Sequence, residues 1–197
     1  MENNISWVAI LGAVTGVLGS LGWVSNYIIG FLSKPKLVFS KGPYVMTWND
    51  VNSGAARRFV NFEVGVSNKK TAKRCVATAK IIKYPNGVNL QDEYALHWAD
   101  VPYSSLSTSM EPVDIGGESR RLDVVFTAPG LNGARIAMPI ALSRPESIMQ
   151  AILPPGTYVI KVSVYCENGR GVHRIIRIIP TEQWHDLKAE NVKKQTT

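Results

Sequence analysis

From Ile5 to Leu32 the chain runs 28 residues without a single charged side chain. A helix needs only ~20 apolar residues to cross the hydrocarbon core of a bilayer, so this segment is long enough to span one. Its apolar residues, among them Val8, Ile10, Leu11, Val14, Val17, Leu18, Leu21 and Val24, point to every side of a helix. Lipid as solvent demands that distribution, whereas a half-buried soluble helix would keep one polar face. Trp7 and Tyr27 stand twenty residues apart, which at ~1.5 Å per residue is about the thickness of the core and suits an aromatic belt at each interface. A single transmembrane helix over 5–32 is therefore expected.

The segment reads as an uncleaved anchor, because Met1 to Asn4 contain no Lys or Arg and no Ala-x-Ala site follows the apolar run. Lys34, Lys36 and Lys41 follow the span and no cation precedes it. The positive-inside rule then puts the N-terminus outside and the C-terminal domain in the cytoplasm. Gly12, Gly16 and Gly19 fall on neighbouring positions of one helical face, Gly12 and Gly16 forming a GxxxG. That pattern lets two backbones approach closely and predicts a homodimer, or a partner helix, packed through the span.

The part after Ser33 carries all 22 Lys and Arg against 14 acids once Glu2 is set aside, a balance of +8. Such a surface favours anionic partners. Val60, Phe62, Val64 and Val66 alternate with Asn61, Glu63, Gly65 and Ser67, the period of a strand with one buried face. Tyr158, Ile160, Val162, Val164 and Cys166 repeat the pattern after the Pro154-Pro155-Gly156 turn, and Glu167 to Gly171 should turn the chain back into a strand over 172–179. Further strands are expected over 37–48, 75–84, 94–98, 122–126 and 135–142. No long helical period separates them. The expected fold is all-β, an antiparallel β-sandwich over 36–180, with Thr181 capping a short helix that ends in a frayed tail over 181–197.

Three phrases carry a resemblance: Val66-Ser67-Asn68-Lys69-Lys70-Thr71-Ala72-Lys73-Arg74-Cys75, then Ile115-Gly116-Gly117-Glu118 before a strand, then Pro155-Gly156-Thr157-Tyr158 before another. Together they resemble bacterial and archaeal immunoglobulin-like adhesion modules related to the CARDB family, over most of residues 36–180. The resemblance implies a non-enzymatic binding or spacer domain of Ig-like sandwich fold. The acidic calcium-type loops of some relatives are missing, and neither cysteine lies in the 59–67 strand where antibody-type pairing would need one.

If the strands alternate in direction from Lys36, the turn holding Lys69, Lys70, Lys73 and Arg74 faces the membrane, and the turn holding Arg170 lies at the same end. These five cations are the candidate lipid-binding residues, each attracted by ~1 kcal/mol to an anionic leaflet. The same topology brings Cys75 and Cys166 toward one sheet edge, as free thiols or as a bridge, and two cysteines without CxxC spacing are too few for a disulfide scaffold.

Evidence for chemistry is sparse. His97, His173 and His185 lack the HExxH, GxSxG or phosphate-loop context of a catalytic site, and His97, alternating with Leu96 and Trp98, is expected to face solvent. No cofactor is predicted. Aromatics do not interleave with the basic pairs, which disfavours nucleic acid. The favoured reading is a single-pass, membrane-anchored interaction module with membrane lipid and an unidentified protein as partners. A tethered metal-dependent enzyme, or a nucleic-acid-binding domain, is the alternative.

Overall fold

A computed structural model of the chain describes residues 34–49, 54, 56–88, 90, 93–101, 111–138 and 152–192. The expected span, with Gly12, Gly16 and Gly19, lies outside these residues. Among the described residues no helix is long and apolar enough to cross a membrane. Residues 35–197 form a compact unit of their own, and among the described residues every regular element but one 3-10 turn is a strand.

Among the described residues twelve strands build two antiparallel sheets. They are β1 (Leu37–Asn49), β2 (Ala56–Val66), β3 (Ala72–Lys83), β4 (Glu93–Ala95), β5 (His97–Trp98), β6 (Val113–Ile115), β7 (Arg120–Thr127), β8 (Ala134–Ile136), β9 (Ile152–Leu153), β10 (Tyr158–Tyr165), β11 (Val172–Ile179) and β12 (Lys188–Asn191). The first sheet runs β1-β2-β7-β8-β9, with β5 also on β7; the second runs β12-β11-β10-β3-β4, with β6 on β3. Many sequence neighbours pair within one sheet, but the chain changes sheets from β2 to β3, β4 to β5, β5 to β6, β6 to β7 and β9 to β10.

The inner faces meet in one apolar core. Val60, Phe62 and Val64 of β2 and Leu122 and Val124 of β7 belong to the same buried cluster as Ala77, Ala79 and Ile81 of β3, Ile160, Val162 and Val164 of β10, and Ile176 and Ile178 of β11. Period-two alternation requires this, since each strand must hide one face and a single sheet cannot hide it alone. The described residues thus form an all-β, two-sheet sandwich.

Three residues define how strands enter the sheets. Tyr158, fully buried at the start of β10, donates its hydroxyl to the Pro154 carbonyl at 2.9 Å. Thr127 Oγ1 donates to the Gly133 carbonyl at 2.8 Å and closes the β7–β8 turn. Gly133 has φ +96°, and a Cβ there would collide with the Leu153 carbonyl, so only glycine fits this turn.

The C-terminal helix expected after Thr181 is a single 3-10 turn, Trp184–Asp186. Thr181 Oγ1 donates to the Gln183 carbonyl at 2.7 Å and so caps no amide. Leu187 then dips into the core, and Lys188–Asn191 adds to the edge of the second sheet as β12, pairing Ile176 with Asn191 and Ile178 with Ala189. Trp184 and Leu187, three residues apart in the sequence, suit one 3-10 turn as well as an α-helix.

Candidate functional site

One end of the sandwich collects the basic residues singled out in the sequence. The β2–β3 turn and the β10–β11 turn meet there, and both meet the start of the domain. Lys36 forms a parallel bridge with Arg170, its amide donates to Asn68 Oδ1 at 3.2 Å, and the Ser67 amide donates to its carbonyl at 3.0 Å. Asn168 clamps the two turns: its Oδ1 accepts from the Lys73 amide at 2.8 Å, and its Nδ2 donates to the Thr71 carbonyl at 3.0 Å. The Glu167 amide donates to the Lys73 carbonyl at 3.0 Å. Gly169 lets the second turn lie flat, because a Cβ there would stand 2.7 Å from both Cys166 Sγ and the Pro35 carbonyl.

The structure therefore brings Lys69, Lys70, Lys73, Arg74 and Arg170 together with Lys36, all exposed. Three acids share this end. Glu167 pairs with Arg74 at 3.5 Å, Asp114 accepts from the Arg74 amide at 2.8 Å, and Glu118 sits in the adjoining β6–β7 turn. Six cations against three acids leave the end positive, with Arg74 spent partly on Glu167. Lys69 and Arg74 have φ of +54° and +50°, a region that costs a non-glycine residue ~1 kcal/mol or more.

Cys75 and Cys166 also meet at this end. Both are free thiols, Cys75 fully buried with its Sγ 3.5 Å from the Ala72 carbonyl. Burial, and after it the neighbouring Cys166, push the Cys75 thiol up to about 12. Burial also raises Cys166.

His97 does not face solvent as its alternation with Leu96 and Trp98 suggests; it is fully buried, and so are both neighbours. The strand expected over 94–98 is two strands in different sheets. At the crossing the Leu96 amide donates to Ala77 of the second sheet and the His97 amide to Ala137 beside the first, so a period that holds along one strand breaks at Leu96. Side chains of Asn61, Asp123 and His97 then form one polar row across β2, β7 and β5. Asn61 Nδ2 donates to Asp123 Oδ1, His97 Nδ1 stands 3.8 Å from Asp123 Oδ2, and His97 Nε2 lies 2.8 Å from the Val101 carbonyl. Asn61 and Asp123 of this row floor a cleft of about 400 Å³ walled by Trp48, Arg57, Phe59 and Arg121, with His97 buried beneath it. Its members were hidden in sequence because Asn61 and Asp123 occupy outward positions of strands and look solvated.

His173 and His185 are exposed and far apart in the topology, on β11 and in the 3-10 turn. Among the described residues no group of three or more His, Cys, Asp or Glu is placed to hold a metal ion. The glycine pairs at 116–117 and 130–133 lie in turns between strands, without the helix N-terminus that cradles phosphate.

Fold and site together define a two-sheet antiparallel β-sandwich with a cation-rich end where the chain enters the domain. No model of a known protein family matches the chain, and no curated protein matches it.

Proposed function

We propose that this protein is a single-pass membrane protein whose β-sandwich is an Ig-like interaction module, docked through its basic end on the anionic lipid of the cytoplasmic leaflet. The observation that carries the reading is the convergence of the two basic turns on Lys36, which follows the charge-free segment by three residues. A tether that short confines the near end of the domain to the headgroup layer. Cations held there each gain ~1 kcal/mol from an anionic surface.

Strand order supports the Ig-like part of the reading. The run β1-β2-β7 opposite β11-β10-β3 has the order A-B-E opposite G-F-C of the immunoglobulin sandwich. Tyr158, bonded to the carbonyl four residues upstream, occupies the place of the tyrosine corner at the start of strand F. The CARDB-type resemblance belongs to this proposal too, as does a non-enzymatic role.

Two attachments of different physics make the reading testable. Apolar insertion is indifferent to salt, whereas surface charges are screened within ~3 Å at 1 M salt. The full chain should stay with membranes washed in 1 M salt, while residues 35–197 alone should bind phosphatidylserine vesicles at low salt and leave them in the wash. Replacing Lys69, Lys70 and Lys73 with Gln should weaken vesicle binding about a hundredfold, from ~1 kcal/mol per cation. Unchanged binding would refute lipid docking, and release of the intact full chain by salt would refute the anchor.

A protein partner is favoured by the outer face of the second sheet. Val76 and Tyr165 are directly opposed there, with Ile82 and Ile175 on the same face, and all four are exposed. Val76 and Tyr165 form one exposed apolar cross-strand pair, set apart from Ile175 and Ile82 by the row of Thr78, Ser163 and His173, and that pair is the contact proposed for a protein partner.

A further inference from the structure

We infer that Cys75 and Cys166 are a redox pair, closing a reversible intramolecular disulfide that ties β3 to the end of β10 beneath the basic turns. The inference stands on strand register and does not require the lipid-docking reading. The β3–β10 ladder pairs Ala77 with Val164 and Val76 with Tyr165, and continuing that register by one residue, just past the end of β10, places Cys75 opposite Cys166. Alternation puts both thiols on the inner face: Ala77 and Ala79 on β3 are buried, as are Val162 and Val164 on β10. Directly opposed residues of an antiparallel pair have Cα atoms ~4.5–5.5 Å apart, inside the ~4.4–6.8 Å that a disulfide spans. The two thiols already interact directly.

The turns are arranged around this pair. Gly169, whose missing Cβ leaves room for Cys166 Sγ, keeps the second turn against the thiol. Cys166 is partly exposed and Cys75 is not, which orders the chemistry. The Cys166 thiolate attacks a small-molecule disulfide such as oxidised glutathione, forming a mixed disulfide and releasing one glutathione thiolate. Cys75, once deprotonated, attacks Cys166 Sγ and expels the second glutathione. Two protein thiols lose two protons and two electrons, and one glutathione disulfide becomes two thiols. Reduced glutathione reverses both steps. Asp114 and Cys166 face Cys75 and, after burial, hold its proton on, so closure is slow at neutral pH. It should quicken about tenfold per pH unit between pH 7 and 9.

The experiment uses the full chain in detergent micelles, equilibrated in glutathione buffers from reducing to oxidising, acid-quenched, alkylated and digested. The expected result is a Cys75–Cys166-linked peptide in monomeric protein, lost again on return to reducing buffer. Cys75→Ala should leave glutathione attached at Cys166 and nothing linked. In the wild-type protein, amide exchange in residues 67–74 and 166–171 should slow about tenfold on oxidation. Glutathione on Cys166 with Cys75 still alkylatable after unfolding, a disulfide joining two chains, or unaltered exchange in both turns would each overturn the inference.

Discussion

Lys69 and Arg74 sit where glycine would be more comfortable, with φ of +54° in the turn before β3 and +50° in the first residues of β3. A left-handed conformation costs an L-residue ~1–2 kcal/mol, while glycine loses ~0.5–1 kcal/mol of extra chain entropy on folding. The balance favours glycine by about 0.5–1 kcal/mol at Lys69, whose ammonium is exposed. Stability and docking therefore pull in opposite directions. Lys69→Gly should raise the unfolding free energy of residues 35–197 in urea titrations by that increment and yet weaken phosphatidylserine binding about fivefold, the loss of one ~1 kcal/mol attraction. A variant that gains stability at no cost in binding would remove Lys69 from the lipid surface. Asn168 acts differently, since it holds the turn and not the lipid. Asn168→Ala abandons the Lys73 amide and the Thr71 carbonyl, and ~1–2 kcal/mol of stability should go with them.

At the scale of elements, what could be read in the sequence divides by strand length. β1, β2, β3, β7, β10 and β11 each run eight residues or more, enough for alternation to show, and the sequence pattern places all six. β6 and β9, of three and two residues, are too short to carry a period and hold their places only through their partners. β12 was concealed by a polar composition, Lys-Ala-Glu-Asn, that suits an edge strand facing water. The basic end was legible because turn position follows from strand direction, while the row of Asn61, Asp123 and His97 was not, because it depends on a strand changing sheets at Leu96. That row secures the change. His97→Ala would leave the Val101 carbonyl and Asp123 without the imidazole and open a cavity, so residues 35–197 should lose about 3 kcal/mol. Amide exchange should accelerate in β5 before it does in β10; equal acceleration in both would mean that the row does not fasten β5 in particular.

Over the whole molecule, two buried groups make the folded state hold protons that the unfolded chain releases. Burial pushes Tyr158 from 10.0 to about 12, and burial together with Cys166 and Asp114 pushes Cys75 from 9.0 to about 12. Below pH 9 both groups are protonated folded or unfolded, and the stability their neutral forms contribute is fully present. As pH rises the unfolded chain ionises first, and that contribution drains away until the folded values near 12 are reached. The sandwich should therefore weaken steadily from about pH 9, Cys75 acting first and Tyr158 joining above pH 10. Tyr158→Phe separates the two. It loses the bond to the Pro154 carbonyl, about 1 kcal/mol at neutral pH, but it also loses a proton to defend. Urea midpoints of wild type and Tyr158→Phe measured from pH 7 to 12 should begin apart, with the variant lower, and close or cross above pH 10. Parallel curves would show that the Tyr158 phenol ionises as readily inside the sandwich as outside it, and the corner at the start of β10 would then be far wetter than its geometry implies.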